Sequence, residues 1–134
     1  MPLLRNSSKA RVITVSSTVH MIGKILFSNI NLRNKVYTPS KAYNQSKLAN
    51  VLFTRELAKR LGPQSNVNAY CLHPGIIRTD LWRHLPSNPL TRLLHKLIFI
   101  DSGLGAQTSL YCALEKSIEN ESGFYYKLDI NQIN

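Results

Sequence analysis

The stretch SKAYNQSKLAN, residues 40–50, decides the fold of this chain because it opens a long predicted helix. Ser40 is a suitable N-cap, since its hydroxyl can accept a hydrogen bond from a free amide of the first turn. No Gly or Pro interrupts the helical spacing before Gly62-Pro63, which is a clear stop signal. The sequence therefore predicts a helix over residues 41–61. Its apolar set includes Leu48, Val51, Leu52, Leu57, Ala58 and Leu61.

Two polar residues of this helix, Tyr43 and Lys47, are four apart and therefore share one face. An ammonium held close to a phenol favours the phenolate and lowers the pKa of the phenol, so such a pair makes a usable general acid and base. Tyr37 and Lys41 have the same spacing, but Pro39 disfavours helix at the residue before it, so these two need not share a face. Spacing alone is a weak motif, and the surroundings decide its meaning.

Length and composition indicate one domain with a real core. The 134 residues are 43% hydrophobic and 18% charged, which is ordinary for a globular chain. No apolar run approaches the ~18–20 residues that span a bilayer, and we expect no signal peptide. The only two cysteines, Cys71 and Cys112, match no metal spacing and are interpreted as buried small apolar residues in a reducing compartment.

The formal net charge of +10 raises the question of nucleic-acid binding. The Lys and Arg residues are scattered along the chain, without a basic block and without interleaved aromatic residues. Solvated faces, attraction to a membrane surface, or balance by an acidic part of a longer protein explain the charge better. We therefore expect no nucleic acid among the partners.

Strands flank the predicted helix. Residues 11–16 form a β-branched apolar run, which is typical of a strand buried in a parallel sheet, and residues 67–72 form a second candidate. A strand, a long helix and a strand make a βαβ unit. The other predicted segments are a loop over residues 18–39, an amphipathic stretch over 81–100, a helix over 104–119 and a short strand near 123–126. The stretch 81–100 fits either a flap over a pocket or an ordinary packed surface helix.

A glycine-containing segment, residues 103–108, resembles a dinucleotide-binding loop at first sight. Thr108 stands where the third glycine would be, and no βαβ unit with an acidic residue follows. We therefore interpret this segment as the start of a helix and reject a cofactor loop.

Taken together, the motifs fall on one edge of the predicted sheet, because chemistry in open α/β sheets lies beyond the carboxyl ends of strands. The motifs are Val15-Ser16-Ser17, residues 42–53 around the Tyr/Lys pair, His73-Pro74-Gly75 and residues 105–108. With these motifs the chain resembles the short-chain dehydrogenase/reductase superfamily and looks most like the retinol dehydrogenase group. The resemblance implies an α/β fold that is the C-terminal part of a doubly wound parallel-sheet Rossmann fold. It also implies that residues 1–134 form a single partial domain.

The resemblance also implies roles for individual residues. Tyr43 would be the acid/base that exchanges a proton with the substrate oxygen, and Lys47 would assist it and hold the nicotinamide ribose. Ser17 would hydrogen-bond the substrate oxygen, in preference to its neighbour Ser16, because Ser17 matches the position that the family uses.

For the cofactor, the resemblance implies NADP or NAD, bound in the complete protein by Tyr43 and Lys47 together with the turn after the second strand. Pro74 and Gly75 would let the backbone approach the nicotinamide, and the backbone of Ile77 and the hydroxyl of Thr79 would bind its carboxamide. No metal is implied. The substrate would be a small hydrophobic alcohol or its aldehyde or ketone, with a retinoid as one candidate.

The departures from the family are large. Members are roughly twice this length and begin with a βαβ half that carries a Thr-Gly-x-x-x-Gly-x-Gly phosphate loop. None of the six glycines here forms that loop, so the chain looks like a C-terminal half. We therefore expect the 134 residues alone to bind cofactor weakly or not at all and to turn over no substrate.

Two further expectations follow from the resemblance. The half sheet would present a long apolar edge, which favours association, so the alternative function is an inactive product that acts by pairing with another chain, including a second copy of itself. Membrane attachment would lie in the missing N-terminal part, and the implied location is the endoplasmic reticulum membrane or the cytoplasm.

Overall fold

A computed structural model of the chain describes residues 2–75 and 102–127. Within them, three strands form one parallel sheet and three α-helices accompany it. The strands are β1 (Ala10–Val15), β2 (Val67–His73) and β3 (Tyr125–Lys127), and the helices are α1 (Pro2–Arg5), α2 (Pro39–Leu61) and α3 (Ser102–Leu114). Two short 3₁₀ helices, Thr18–Ile22 and Phe27–Asn29, lie in the segment that was predicted as loop. No helix of the described residues is long and apolar enough to cross a membrane.

The sheet has the strand order β1-β2-β3, with β2 in the centre. β1 and β2 pair in parallel with Ala10 opposite Val67, and β2 and β3 pair in parallel with Cys71 opposite Tyr125. Because α2 connects two adjacent parallel strands, the strand-helix-strand unit predicted from the sequence is present. The predicted strand 11–16 is shifted by one residue relative to β1, and the predicted strand 67–72 ends one residue before β2 does.

The start of α2 corrects one prediction. Thr38, and not Ser40, is the N-cap: its backbone is extended (φ −135°, ψ 148°) and its Oγ1 accepts from the Lys41 amide at 3.2 Å. Pro39 takes the first helical position, where its fixed φ suits a helix and its missing N–H is not needed. Tyr37 therefore precedes the helix, as predicted.

The hydrophobic core lies on the α3 side of the sheet. It consists of Tyr70, Leu72, Cys112 and Ile118, with Ile13 and Tyr126 packed against it. The guanidinium of Arg11 crosses from β1 to the C-terminal end of α3, where it donates to the carbonyls of Cys112 (2.9 Å) and Glu115 (2.7 Å). These bonds satisfy carbonyls that have no intrahelical partner and so fix α3 against the sheet.

The strand β1 was expected to be buried on both faces, but it is only half-buried because it is an edge strand of the described sheet. The amides of Ala10 and Ser16 donate to the carbonyls of Asn66 and Leu72. The residues that alternate with them direct their backbone groups to the other edge. Val15, at the end of this edge, is 43% exposed.

The remaining predictions concern the C-terminal third. The predicted helix 104–119 is shorter than expected: α3 ends at Leu114, and turns follow. Residues 103–108 lie within α3, so the interpretation of this segment as the start of a helix is confirmed. The predicted flap over residues 81–100 lies outside the described residues.

Candidate active site

The carboxyl ends of β1 and β2 bring the predicted site residues to one edge of the sheet. Ser16 and Ser17 follow β1 directly, and Pro74 and Gly75 follow β2. The first turns of α2 lie against the same edge, as the contacts below show. This is the edge at which open α/β sheets form their sites.

Ser17 is half-buried and has an extended backbone (φ −159°, ψ 157°). Its carbonyl accepts from the backbone N–H of His20 at 3.0 Å and from the His20 ring at Nδ1, 2.7 Å away. Because a carbonyl oxygen can only accept, His20 carries a proton on Nδ1. The Ser17 hydroxyl itself has no hydrogen bond to the described part of the chain. It is therefore available to an oxygen of a ligand.

Tyr43 and Lys47 lie side by side on α2, both half-buried. The Nζ of Lys47 is 5.3 Å from the centroid of the Tyr43 ring. The same Nζ donates to the carbonyl of Val15 at 3.2 Å, two residues before Ser17. The ammonium therefore touches both the phenol ring and the end of β1, which brings the three residues predicted as catalytic into one neighbourhood.

Ser16 has a role that sequence reasoning missed. Its side chain is buried, at 2% exposure, and its Oγ donates to the backbone carbonyl of Lys47 at 2.7 Å. Asn50 makes a second tie, since its Nδ2 donates to the carbonyl of Val15 at 3.0 Å. Strand alternation could have indicated that Ser16 and Ser17 have different roles, because neighbouring side chains at a strand end point to opposite sides of the sheet.

The loop between β1 and α2 is held by Gln45, another buried residue that the sequence did not single out. Its Oε1 accepts from the Leu26 amide (3.1 Å) and its Nε2 donates to the Ile30 carbonyl (2.7 Å). Gly23 lies against the same helix: a Cβ at this position would be 2.5 Å from the Asn44 carbonyl oxygen. The loop thus packs closely on the helix that carries Tyr43.

The strand β2 ends in a buried histidine. His73 is 6% exposed, and its Nδ1 has no hydrogen-bond partner among residues 2–75 and 102–127. Burial lowers the pKa of His73, and the charges of Lys127 and His20 add to the effect. Gly75 has φ +89°, a conformation that favours glycine. The predicted cofactor residues Ile77 and Thr79 lie outside the described residues.

The donors of this site suit an organic ligand. In the described part of the chain, no group of three or more His, Cys, Asp or Glu side chains could hold a metal ion. Cys71 and Cys112 are both free and buried, and burial raises the pKa of each thiol, that of Cys112 to about 11. What the edge offers is a hydroxyl, a phenol and an ammonium, the groups needed to exchange a proton with an alcohol or carbonyl oxygen.

Proteins of known family are similar to this chain in sequence. Retinol dehydrogenase 12 from Homo sapiens is 48% identical over 126 residues, covering 92% of this chain and 38% of the relative. Dehydrogenase/reductase SDR family member 13 from Bos taurus is 42% identical over 130 residues, covering 94% of this chain and 34% of the relative. The chain thus spans little more than a third of the length of these curated relatives. No family model matches the chain.

Among solved structures, the NADPH-bound carbonyl reductase from chicken fatty liver superposes with a TM-score of 0.64 at 20% identity, covering 94% of this chain and 46% of that one. This likeness shows a shared Rossmann-type fold, of which the chain has a part that lacks the phosphate-binding βαβ half. In sequence and in fold, the chain is a retinol dehydrogenase-like member of the short-chain dehydrogenase/reductase superfamily.

Proposed function

We propose that the native protein carrying these residues is an NAD(P)-dependent oxidoreductase that interconverts a hydrophobic alcohol and its aldehyde or ketone. One observation carries this proposal: the Lys47 Nζ contacts both the Tyr43 ring and the carbonyl of Val15 at the strand end before Ser17. A phenol, an ammonium and a free hydroxyl at one sheet edge are suited to proton exchange with a substrate oxygen. The names of the relatives favour a retinoid as substrate.

Each of the three side chains has a distinct task in this proposal. Tyr43 donates a proton to the carbonyl oxygen in reduction and removes it from the alcohol in oxidation. The positive charge of Lys47, next to the Tyr43 ring, stabilises the phenolate. The Ser17 hydroxyl, which has no protein partner in the described residues, donates to the substrate oxygen and stabilises its developing negative charge.

The residues present fit the nicotinamide end of a dinucleotide. When bound, NADP or NAD supplies or accepts the hydride. Tyr43 and Lys47 would hydrogen-bond the ribose hydroxyls, and the backbone at Pro74 and Gly75 would approach the ring, since the glycine has φ +89° and no Cβ in the way. Ile77 and Thr79 are the proposed carboxamide contacts. The phosphate end finds no glycine loop in this sequence, so its binding requires a part of the protein outside these residues.

The test is reduction of all-trans-retinal and of a medium-chain aldehyde by the native protein, with NADPH and then NADH, followed by the change in absorbance of the cofactor and by chromatography of the product. Tyr43→Phe should lower kcat by at least about 10²-fold, the range expected for loss of a general acid. Lys47→Met should lower it as well, because the phenolate loses its neighbouring charge.

The chain contains a matched control. Tyr37 and Lys41 repeat the spacing of the catalytic pair, but Tyr37 precedes the helix and is 59% exposed. Tyr37→Phe should therefore leave kcat unchanged. Full activity of Tyr43→Phe, or equal losses in the two Tyr→Phe variants, would exclude the proposed acid/base.

A second function, association with another protein chain, is favoured by a different observation. A groove of about 470 Å³ between α2 and the loop of residues 25–37 is lined mostly by apolar side chains. Among them, Phe27, Ile30, Tyr37 and Leu52 are 85%, 57%, 59% and 47% exposed. Such a surface is unusual on a protein that has no partner. In the described sheet β1 is an edge strand, so its outer backbone groups are not paired with any described strand.

Light scattering coupled to size exclusion would test this second function. A concentration-independent oligomer that Leu52→Glu dissociates, in a protein that turns over neither aldehyde, would support association in place of catalysis. A monomer with turnover would support the oxidoreductase alone. Fractionation of cells that express the native protein would decide between the two locations proposed from the resemblance, the endoplasmic reticulum membrane and the cytoplasm.

A further inference from the structure

A buried polar contact joins the end of β1 to the middle of the catalytic turn of α2. Ser16 is 2% exposed, and its hydroxyl donates to the main-chain carbonyl of Lys47 at 2.7 Å. That carbonyl belongs to the helical ladder, so the Ser16 hydroxyl is an additional donor to it.

The two residues joined by this contact carry the groups proposed for catalysis. Ser16 is the chain neighbour of Ser17, and Lys47 is both the partner of Tyr43 and the residue whose carbonyl is bound. This hydrogen bond ties the strand end to the helix turn, together with the bonds that Lys47 and Asn50 donate to the carbonyl of Val15. Of these three bonds, only the one from Ser16 is accepted by the main chain of α2.

We propose that Ser16 is a positioning residue for the reaction: it fixes the translation of α2 along the end of β1, and through it the geometry of Ser17, Tyr43 and Lys47. This inference rests on the proposed function. Ser16 does not touch substrate or cofactor, because its hydroxyl is buried and engaged with the helix backbone. Its effect is therefore on the alignment of reacting groups, to which rates are sensitive at the scale of an ångström.

Ser16→Ala removes the hydroxyl and leaves the rest of the side chain in place. The matched control is Tyr70→Phe, which also removes a fully buried hydroxyl that donates to a backbone carbonyl, that of Ile118 at 2.9 Å. This control lies on the α3 side of the sheet, away from the candidate site. Both variants should lose stability, but only Ser16→Ala should affect the site.

Two measurements on the native protein separate positioning from stability. In hydrogen exchange, Ser16→Ala should raise the exchange of amides in residues 43–51 at least about fivefold over Tyr70→Phe. In kinetics, Ser16→Ala should lower kcat about tenfold with KM changed less than threefold, consistent with a small misalignment.

The outcomes distinguish this inference from the proposed function. If the wild-type protein and Tyr43→Phe differ in turnover as expected but Ser16→Ala matches Tyr70→Phe in exchange, kcat and KM, the positioning role is wrong and the oxidoreductase stands. If the wild type turns over no substrate, the proposed function is wrong, and so is a catalytic purpose for Ser16. The exchange measurement then shows only whether the helix is fixed by the contact.

Discussion

Gln45 provides a direct test of how the site helix holds the loop in front of it. Its buried amide accepts from the Leu26 N–H (3.1 Å) and donates to the Ile30 carbonyl (2.7 Å). Gln45→Leu has a similar volume and leaves both backbone groups without that partner. An unsatisfied buried backbone group costs about 1–3 kcal/mol. A groove next to the site admits water, so we take the lower end for both groups and expect the free energy of unfolding to fall by about 2 kcal/mol.

Urea denaturation of the native protein measures that loss, and Gln64→Leu is the control, since Gln64 is exposed and should change stability by less than about 0.5 kcal/mol. Hydrogen exchange adds a local readout, because the Leu26 amide loses its acceptor and should exchange faster. A stability loss equal to that of the control, or an unchanged Leu26 amide, would refute the role assigned to Gln45.

Three other predictions concern charge and burial. Burial lowers the pKa of His73 below its usual value, so on acidification below about pH 6.5 the unfolded state takes up a proton that the folded state does not. The free energy of unfolding should therefore fall below about pH 6.5, and in His73→Gln it should fall less over the same pH range when measured by urea denaturation. Arg11→Met removes two charge-assisted hydrogen bonds to α3 and should cost about 2–4 kcal/mol by urea denaturation, whereas Arg60→Met, which breaks an exposed ion pair with Glu56, should cost less than about 0.5 kcal/mol. Burial raises the pKa of the fully buried Cys112 thiol to about 11, so it should resist a thiol reagent at pH 8 and react once urea unfolds the chain; rapid reaction of the folded protein would contradict this.

Much of the fold could be predicted from local signals. The β-branched run before Ser16 and the apolar run before His73 give β1 and β2 to within a residue, because both patterns require burial in a parallel sheet. The N-cap was missed by two residues, since Ser40 and Thr38 have the same capping chemistry and Pro39 between them was weighed only as a breaker. Propensity identifies a helix more reliably than it locates its first residue.

The residues of the candidate site fall into two groups, those that could be predicted from the sequence and those that could not. Tyr43, Lys47 and Ser17 could be named from the sequence because their residue types and order carry a recognisable chemistry. Ser16 and Gln45 could not be named, because the groups that they bind are distant in the sequence. The carbonyl of Lys47 and the backbone of Leu26 are brought near them only by the fold. Residues that act through backbone groups leave little trace in a sequence pattern.

The buried side of α2 explains why the site was harder to predict from the sequence than the fold. An amphipathic helix is expected to bury apolar side chains, yet the buried residues of α2 are Gln45 and Thr54, while Leu52 and Phe53 are 47% and 55% exposed. Apolar contacts keep a helix near a sheet but tolerate sliding and rotation, whereas hydrogen bonds are directional and fix both. Proton exchange requires groups within about 3 Å of each other, so a helix that carries such groups gains from directional hydrogen bonds. In α2 these are the bonds of Ser16, Lys47 and Asn50 at the end of β1 and those of Gln45 to the preceding loop. The departure from the expected pattern therefore falls on the helix where alignment matters most, and it leaves apolar side chains on the outer face for whatever packs there.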